Sequence, residues 1–204
     1  MNKVSFLLFG VMGVACVPSG DPRADNARLI RQSTSSDCGP AALATLFTFY
    51  LDVPTTEREM MRLANANPTT GTSLRGMESA AAAKSLDSGS FRMDFKTLQS
   101  QMEQFKTPVI VRMLNPEPHF AVVLDVEGPE VGLADPAVGN ILISRKAFLK
   151  RWLIPGNNKE GYVFVAATPI GHVNSGNLAA ARRDLARMRR ALQTTRPPMF
   201  SPTR

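Results

Sequence analysis

The sequence predicts an α+β fold, an N-terminal helical part packed on an antiparallel sheet. Two observations carry this. Capped segments with helical spacing fill the chain up to about residue 105, and five short strand-like runs follow. The phrases EGPE, PAVG and PGNNKEG separate those runs as turns, and consecutive strands joined by turns pair antiparallel. At 204 residues, 44% hydrophobic and 20% charged, the chain suits one core-bearing domain with appendages.

The elements follow in order. Cys38 to Leu51 is apolar nearly all round, which places a helix in the middle of a core. Asp37 or Ser36 is its natural N-cap, and Pro40 is tolerated in the first turn. Thr56 with Glu59 is a capping-box pattern that opens a second helix running to Ala64. A third covers Ser73 to Leu86 with Leu74, Met77 and Ala81 on one face. A fourth covers Phe95 to Phe105 with Leu98, Met102 and Phe105 inward. The strand-like runs are Val109–Met113, Phe120–Val126, Glu130–Ala134, Ile141–Ser144 and Tyr162–Ala166, with a helix from Arg145 to Trp152 before the last.

Both ends read as appendages. Lys3 and the apolar run Val4 to Ala15 form a signal segment over 1–16, too short to span a bilayer. Cys16 follows in GVMGVAC, either as the lipid acceptor of a bacterial lipoprotein or as an incidental thiol near an ordinary cleavage site. An exported protein follows, in the periplasm or anchored to an envelope membrane of Gram-negative type. Residues 17–27 are a polar tether, 28–168 the folded domain and 169–177 a linker. Residues 178–193 are a helix with Leu178, Ala181, Leu185, Met188 and Leu192 on one stripe, and 194–204 a disordered tail.

The formal net charge of +7 is concentrated: seven arginines and one acid, Asp184, lie from Arg182 onward. The body is near neutral, which argues against nucleic-acid binding. The arginine-rich helix either docks on the body with its charges solvated, or meets an acidic partner such as envelope secretion machinery or a membrane surface. No cofactor or metal motif is read.

Past Cys16, Cys38 is the only cysteine. A lone thiol in an exported domain is either inert and buried or a nucleophile. Free thiols are only about 3% ionised at pH 7, and the first turn of a helix favours an anion. His119 heads the run HFAVVLDV after the rigid PEP, where a strand can fix an imidazole as general base. Asp135 ends the next run and could accept His119 Nδ1–H, although Asp-Pro also opens ordinary turns. Gln32, six positions before Cys38, could aim its amide N–H at an oxyanion.

The phrases Gln32-x5-Cys38-Gly39-Pro40-Ala41, Gly71-Thr72-Ser73, His119-Phe120 and Asp135-Pro136 together resemble the bacteriocin-processing, or double-glycine, peptidase family. The strand Pro108-Val109-Ile110 before the histidine and the G-x-x-I-S-x-x-x-F segment after the aspartate add to it, so the resemblance spans about residues 28–167. It implies a papain-like fold. It also implies Cys38 as nucleophile, His119 as base and acid, Asp135 as orienting residue and Gln32 as oxyanion donor. Members cut export substrates after a Gly-Gly leader, usually as part of an ABC exporter. This chain resembles a stand-alone exported member, like those that accompany surface-fibre and amyloid secretion. The expected function is a cysteine endopeptidase of the envelope acting on a protein or peptide. The alternatives are a non-catalytic binding or chaperone module of a secretion system, and a papain-like peptidoglycan amidase.

Overall fold

The computed structural model describes residues 27–194. The expected signal segment with Cys16, the tether up to residue 26 and the tail from residue 195 lie outside them.

Among the described residues, six α-helices and seven strands make three layers. Helix α1 spans Cys38–Thr45, α2 Glu57–Leu63, α3 Leu74–Ala83, α4 Phe95–Phe105, α5 Arg145–Trp152 and α6 Ser175–Thr194. The strands are β1 Asp87–Met93, β2 Val109–Met113, β3 His119–Asp125, β4 Glu130–Asp135, β5 Gly139–Ser144, β6 Leu153–Ile154 and β7 Asn157–Ala167. They form one antiparallel sheet in the order β1-β7-β2-β3-β4-β5, with β6 paired to β7.

Period-two alternation in the strands divides the core. Ile110, Phe120, Val122, Leu124, Ala134 and Phe164 face one side, with α1, α2, α3 and α6. Val111, Ala121, Val123, Leu133 and Val163 face the other, with α4 and α5. All eight residues of α1 are buried, as an all-round apolar helix requires. The apolar run does not continue as one regular helix: Leu46–Tyr50 widens into a π-turn before Leu51.

Helix starts follow their caps. Thr56, Ser73, Asp94 and Ser144 each accept a backbone N–H three residues on. Two expectations are corrected. Glu59 does not close the capping box; its carboxylate goes to Thr55 and Lys84. Asp37 sits at the N-cap position of α1 but does not cap it, because its carboxylate takes the backbone N–H and hydroxyl of Thr34. The start of α1 therefore keeps its N–H dipoles free of a side-chain cap.

Helix α6 docks on the body. Leu178, Ala181 and Leu185 are buried, and Met188 packs on the same cluster. Gly132 in β4 leaves the space: a Cβ there would stand 2.3 Å from Leu185 Cδ1. Polar contacts fix the helix at both ends. Asn177 donates to the Phe49 carbonyl, Arg28 pairs with Asp184, and Arg189 pairs with Asp125 and Glu130. Arg183, Arg187 and Arg190 remain on the exposed face.

Candidate active site

The site lies where the start of α1 meets one end of strands β3 and β4. Cys38 is the first residue of α1, 7% exposed, and the one free cysteine among the described residues. Gly39 after it is pressed against the sheet and the loop before α3. A Cβ at Gly39 would stand 3.1 Å from Thr72 Cβ and 3.3 Å from Phe120 Cδ2. A larger residue would lift the helix start off the sheet, so this glycine sets the depth at which Cys38 sits.

His119 is the first residue of β3 and Asp135 the last of β4. The register pairs Val122 with Ala134, so Asp135 stands diagonally across from His119 on one face. Diagonal neighbours on a sheet are close enough for long side chains to meet. His119 Nε2 donates to Asp135 Oδ1 at 2.8 Å. Sequence reasoning assigned this bond to Nδ1. The imidazole must reach across the ladder to meet the carboxylate, so the outer nitrogen makes the bond and Nδ1 is left for the Cys38 side. Asp135 is 2% exposed, and its Oδ1 also accepts Ala137 N–H at 2.9 Å. Both bonds hold the carboxylate still.

Electrostatics set the charge on His119. Burial is the largest influence and disfavours the imidazolium. Hydrogen bonding and charge from Asp135 and Cys38 outweigh it and push the pKa up from 6.5 to about 9. The ring is therefore mostly protonated at pH 7.

Gln32 lies on the loop entering α1, tied by its backbone N–H to the Pro136 carbonyl at 3.1 Å. The loop carrying Gln32 is thus stitched to the turn that follows Asp135. Its Nε2 donates one hydrogen to the Thr34 carbonyl at 2.8 Å, and the amide carries a second. Its Oε1 is buried without a hydrogen-bond partner. The structure brings Cys38, His119 and Asp135 to one place, with Gln32 on the adjoining loop.

Two further polar groups line this region and were not singled out individually from the sequence. Thr72 is 9% exposed, and its Oγ1 has no partner. Its signal was the Gly71-Thr72-Ser73 phrase, in which Ser73 caps α3. Gly71 has φ +77° and packs against the Ser36 carbonyl. The second is Arg112, a cation inside the apolar strand VIVRM, whose guanidinium lies 6.0 Å from the centre of the Phe120 ring. No group of three or more metal-ligating side chains occurs among the described residues.

Residues 26–156 match the model of the Peptidase C39 family. An uncharacterized protein of Methanothermobacter marburgensis is 37% identical over 122 residues, which is 60% of this chain and 80% of that protein. A probable functional amyloid protease, FapD, of Pseudomonas aeruginosa is 32% identical over 133 residues, covering 62% of this chain and 57% of that one. Among solved structures, a double glycine motif protease from an AMS/PCAT transporter in complex with its leader peptide superposes with a TM-score of 0.56. That match has 20% identity and covers 68% of this chain and 89% of that one. The chain belongs to the Peptidase C39 family and is a cysteine peptidase of papain-like α+β fold.

Proposed function

We propose that Cys38 is the nucleophile, His119 the proton carrier, Asp135 its orienting partner and Gln32 an oxyanion donor. The observation that carries the reading is the His119–Asp135 bond of 2.8 Å on an imidazole whose charge Cys38 also stabilises. The Cys38 thiolate attacks the peptide carbonyl carbon, and a C–S bond forms. The carbonyl oxygen takes the negative charge and is met by the uncapped N–H at the start of α1 and by the Gln32 amide. When the intermediate collapses, the C–N bond breaks and the leaving amine takes the proton from His119 Nδ1. Neutral His119 then removes a proton from water as the water attacks the thioester, releasing the acid and restoring the ion pair. Asp135 keeps Nε2 protonated throughout, so Nδ1 is the nitrogen that exchanges.

The substrate is a secreted or surface-fibre protein, met in the cell envelope and cut at a Gly-Gly-like site. Support comes from the apolar N-terminal run ending at Cys16, the likeness to an amyloid protease and the likeness to a double glycine motif protease. No helix among the described residues is long and apolar enough to cross a membrane. The reading is tested by Cys38→Ala in the producing cell. A secreted fibre subunit encoded beside this protein is expected to accumulate unprocessed; normal processing in that strain removes the proposal.

A further inference from the structure

One row of the sheet, at the end that carries the site, is unlike the rows behind it. Arg92 of β1 pairs with Tyr162 of β7, Tyr162 with Arg112 of β2, and Arg112 with Phe120 of β3. Directly paired residues share a face, so these four side chains form one line across four strands, on the side where α1 packs. The next row inward, with Phe164, Ile110 and Val122, is fully buried core. The outer row is open: Arg92 is exposed, and Tyr162 and Arg112 are half-buried. Phe120 closes the line against Gly39, next to Cys38.

Neither arginine takes part in an ion pair among the described residues. Arg112 Nε is buried with no hydrogen-bond partner. The acids nearest Arg92 along the chain and across the sheet are already engaged: Asp94 caps α4, and Glu160 takes the Asn157 amide. A half-buried guanidinium without a carboxylate is costly to leave unmatched unless something supplies the missing charge. We propose that this row is a substrate shelf, in which Arg112, seconded by Arg92, binds acidic side chains of the peptide being cut. The inference rests on the peptidase reading above and names the charge of its substrate.

The geometry sets the spacing. Adjacent strands lie about 4.8 Å apart, so Arg112 is one strand from Phe120 and Arg92 is two strands further. An extended peptide advances about 3.4 Å per residue. With Phe120 seated against Gly39, about one residue from the scissile bond, Arg112 meets a side chain roughly two to three residues from that bond, and Arg92 one roughly three residues beyond that. Tyr162 between them supplies a flat surface for the intervening residue.

The test uses synthetic peptides with one Gly-Gly bond, carrying Glu or Gln singly at each position two to seven residues on either side. With the wild-type protein, one position near the third residue is expected to favour Glu in kcat/KM by about tenfold. Arg112→Gln removes that preference, read as the ratio of kcat/KM between the Glu and Gln peptides within the variant. Arg112→Lys keeps part of it, and Arg112→Glu reverses it. An equal preference in Arg112→Gln, or none at any position in the wild type, overturns the proposal. Anisotropy with the Cys38→Ala protein reads the shelf without chemistry. The Glu peptide should bind more tightly than the Gln peptide, and the difference should vanish in Cys38→Ala/Arg112→Gln; its persistence there also overturns the proposal. Intact discrimination in binding with no cleavage by the wild type defeats the peptidase reading and leaves the shelf standing.

Discussion

Removing the Cys38 thiol should change the titration of His119, because the charge on that imidazole is shared between two partners. Its rise from 6.5 to about 9 corresponds to roughly 3 kcal/mol of preference for the imidazolium. Burial opposes that preference, so Asp135 and Cys38 together must supply more than the net figure. In Cys38→Ala, burial and Asp135 remain while hydrogen bonding and charge from the sulfur are lost. The pKa is expected to fall by roughly one unit or more. The assay is a heteronuclear NMR titration of the imidazole ring between pH 5 and 10.5. The chain has two histidines, so a His172→Gln background leaves a single signal to follow. A His119 signal still titrating near pH 9 in Cys38→Ala would refute the reasoning. Asp135 alone would then hold the proton, and the sulfur would have no electrostatic part in the site.

Other consequences can be measured alongside. Asp135→Asn removes a cause that raises the His119 pKa, so the alkaline limit of the pH–rate profile, expected near 9 in the wild type, should move down toward 6.5. Taken for His119 alone, the sign for stability is that of a raised group. Its contribution is fully present below 6.5 and lost as pH rises through about 9, as urea unfolding of wild type against His119→Gln at pH 6 and 9.5 would show. Gln32→Ala should lower kcat by about a hundredfold or more with little change in KM, the pattern of a contact made in the transition state. Leu185→Ala, at a buried contact between α6 and the sheet, should cost about 2–4 kcal/mol in a thermal melt and open α6 to early trypsin cuts at Arg183 and Arg187. Gly161→Ala should destabilise by about 1–3 kcal/mol, since a Cβ there would stand 2.2 Å from the buried Trp152 ring. An unchanged melting temperature would show that the ring has room to shift.

Local signals carried much of the architecture. Helices α4 and α5 and strand β2 have the bounds that the sequence predicts, because helical spacing and the apolar run VIVRM act within a few residues; in the structure Asp94 and Ser144 cap the two helices where they start. The order helices-then-strands was enough for α+β. Strand β1 was not legible. Its sequence, DSGSFRM, has no apolar alternation because it is an edge strand with a largely exposed face, and only its pairing with β7 defines it. The insertion of β7 between β1 and β2 is likewise a long-range pairing that no local pattern announces.

By itself, then, the sequence determined which residues are the candidates for the chemistry: a thiol at a helix start, an imidazole at a strand start, a carboxylate before a proline and an amide on the entry loop. These identities and their order are properties of a one-dimensional string. Only the tertiary structure decided that Nε2 rather than Nδ1 faces Asp135, that the Asp37 carboxylate turns back to Thr34 and leaves α1 uncapped, and that Arg92 and Arg112 share a row leading to Cys38. The physical reason is that each depends on strand register and on the seating of α1 against Phe120. Both are set by pairing and packing between residues far apart in the chain.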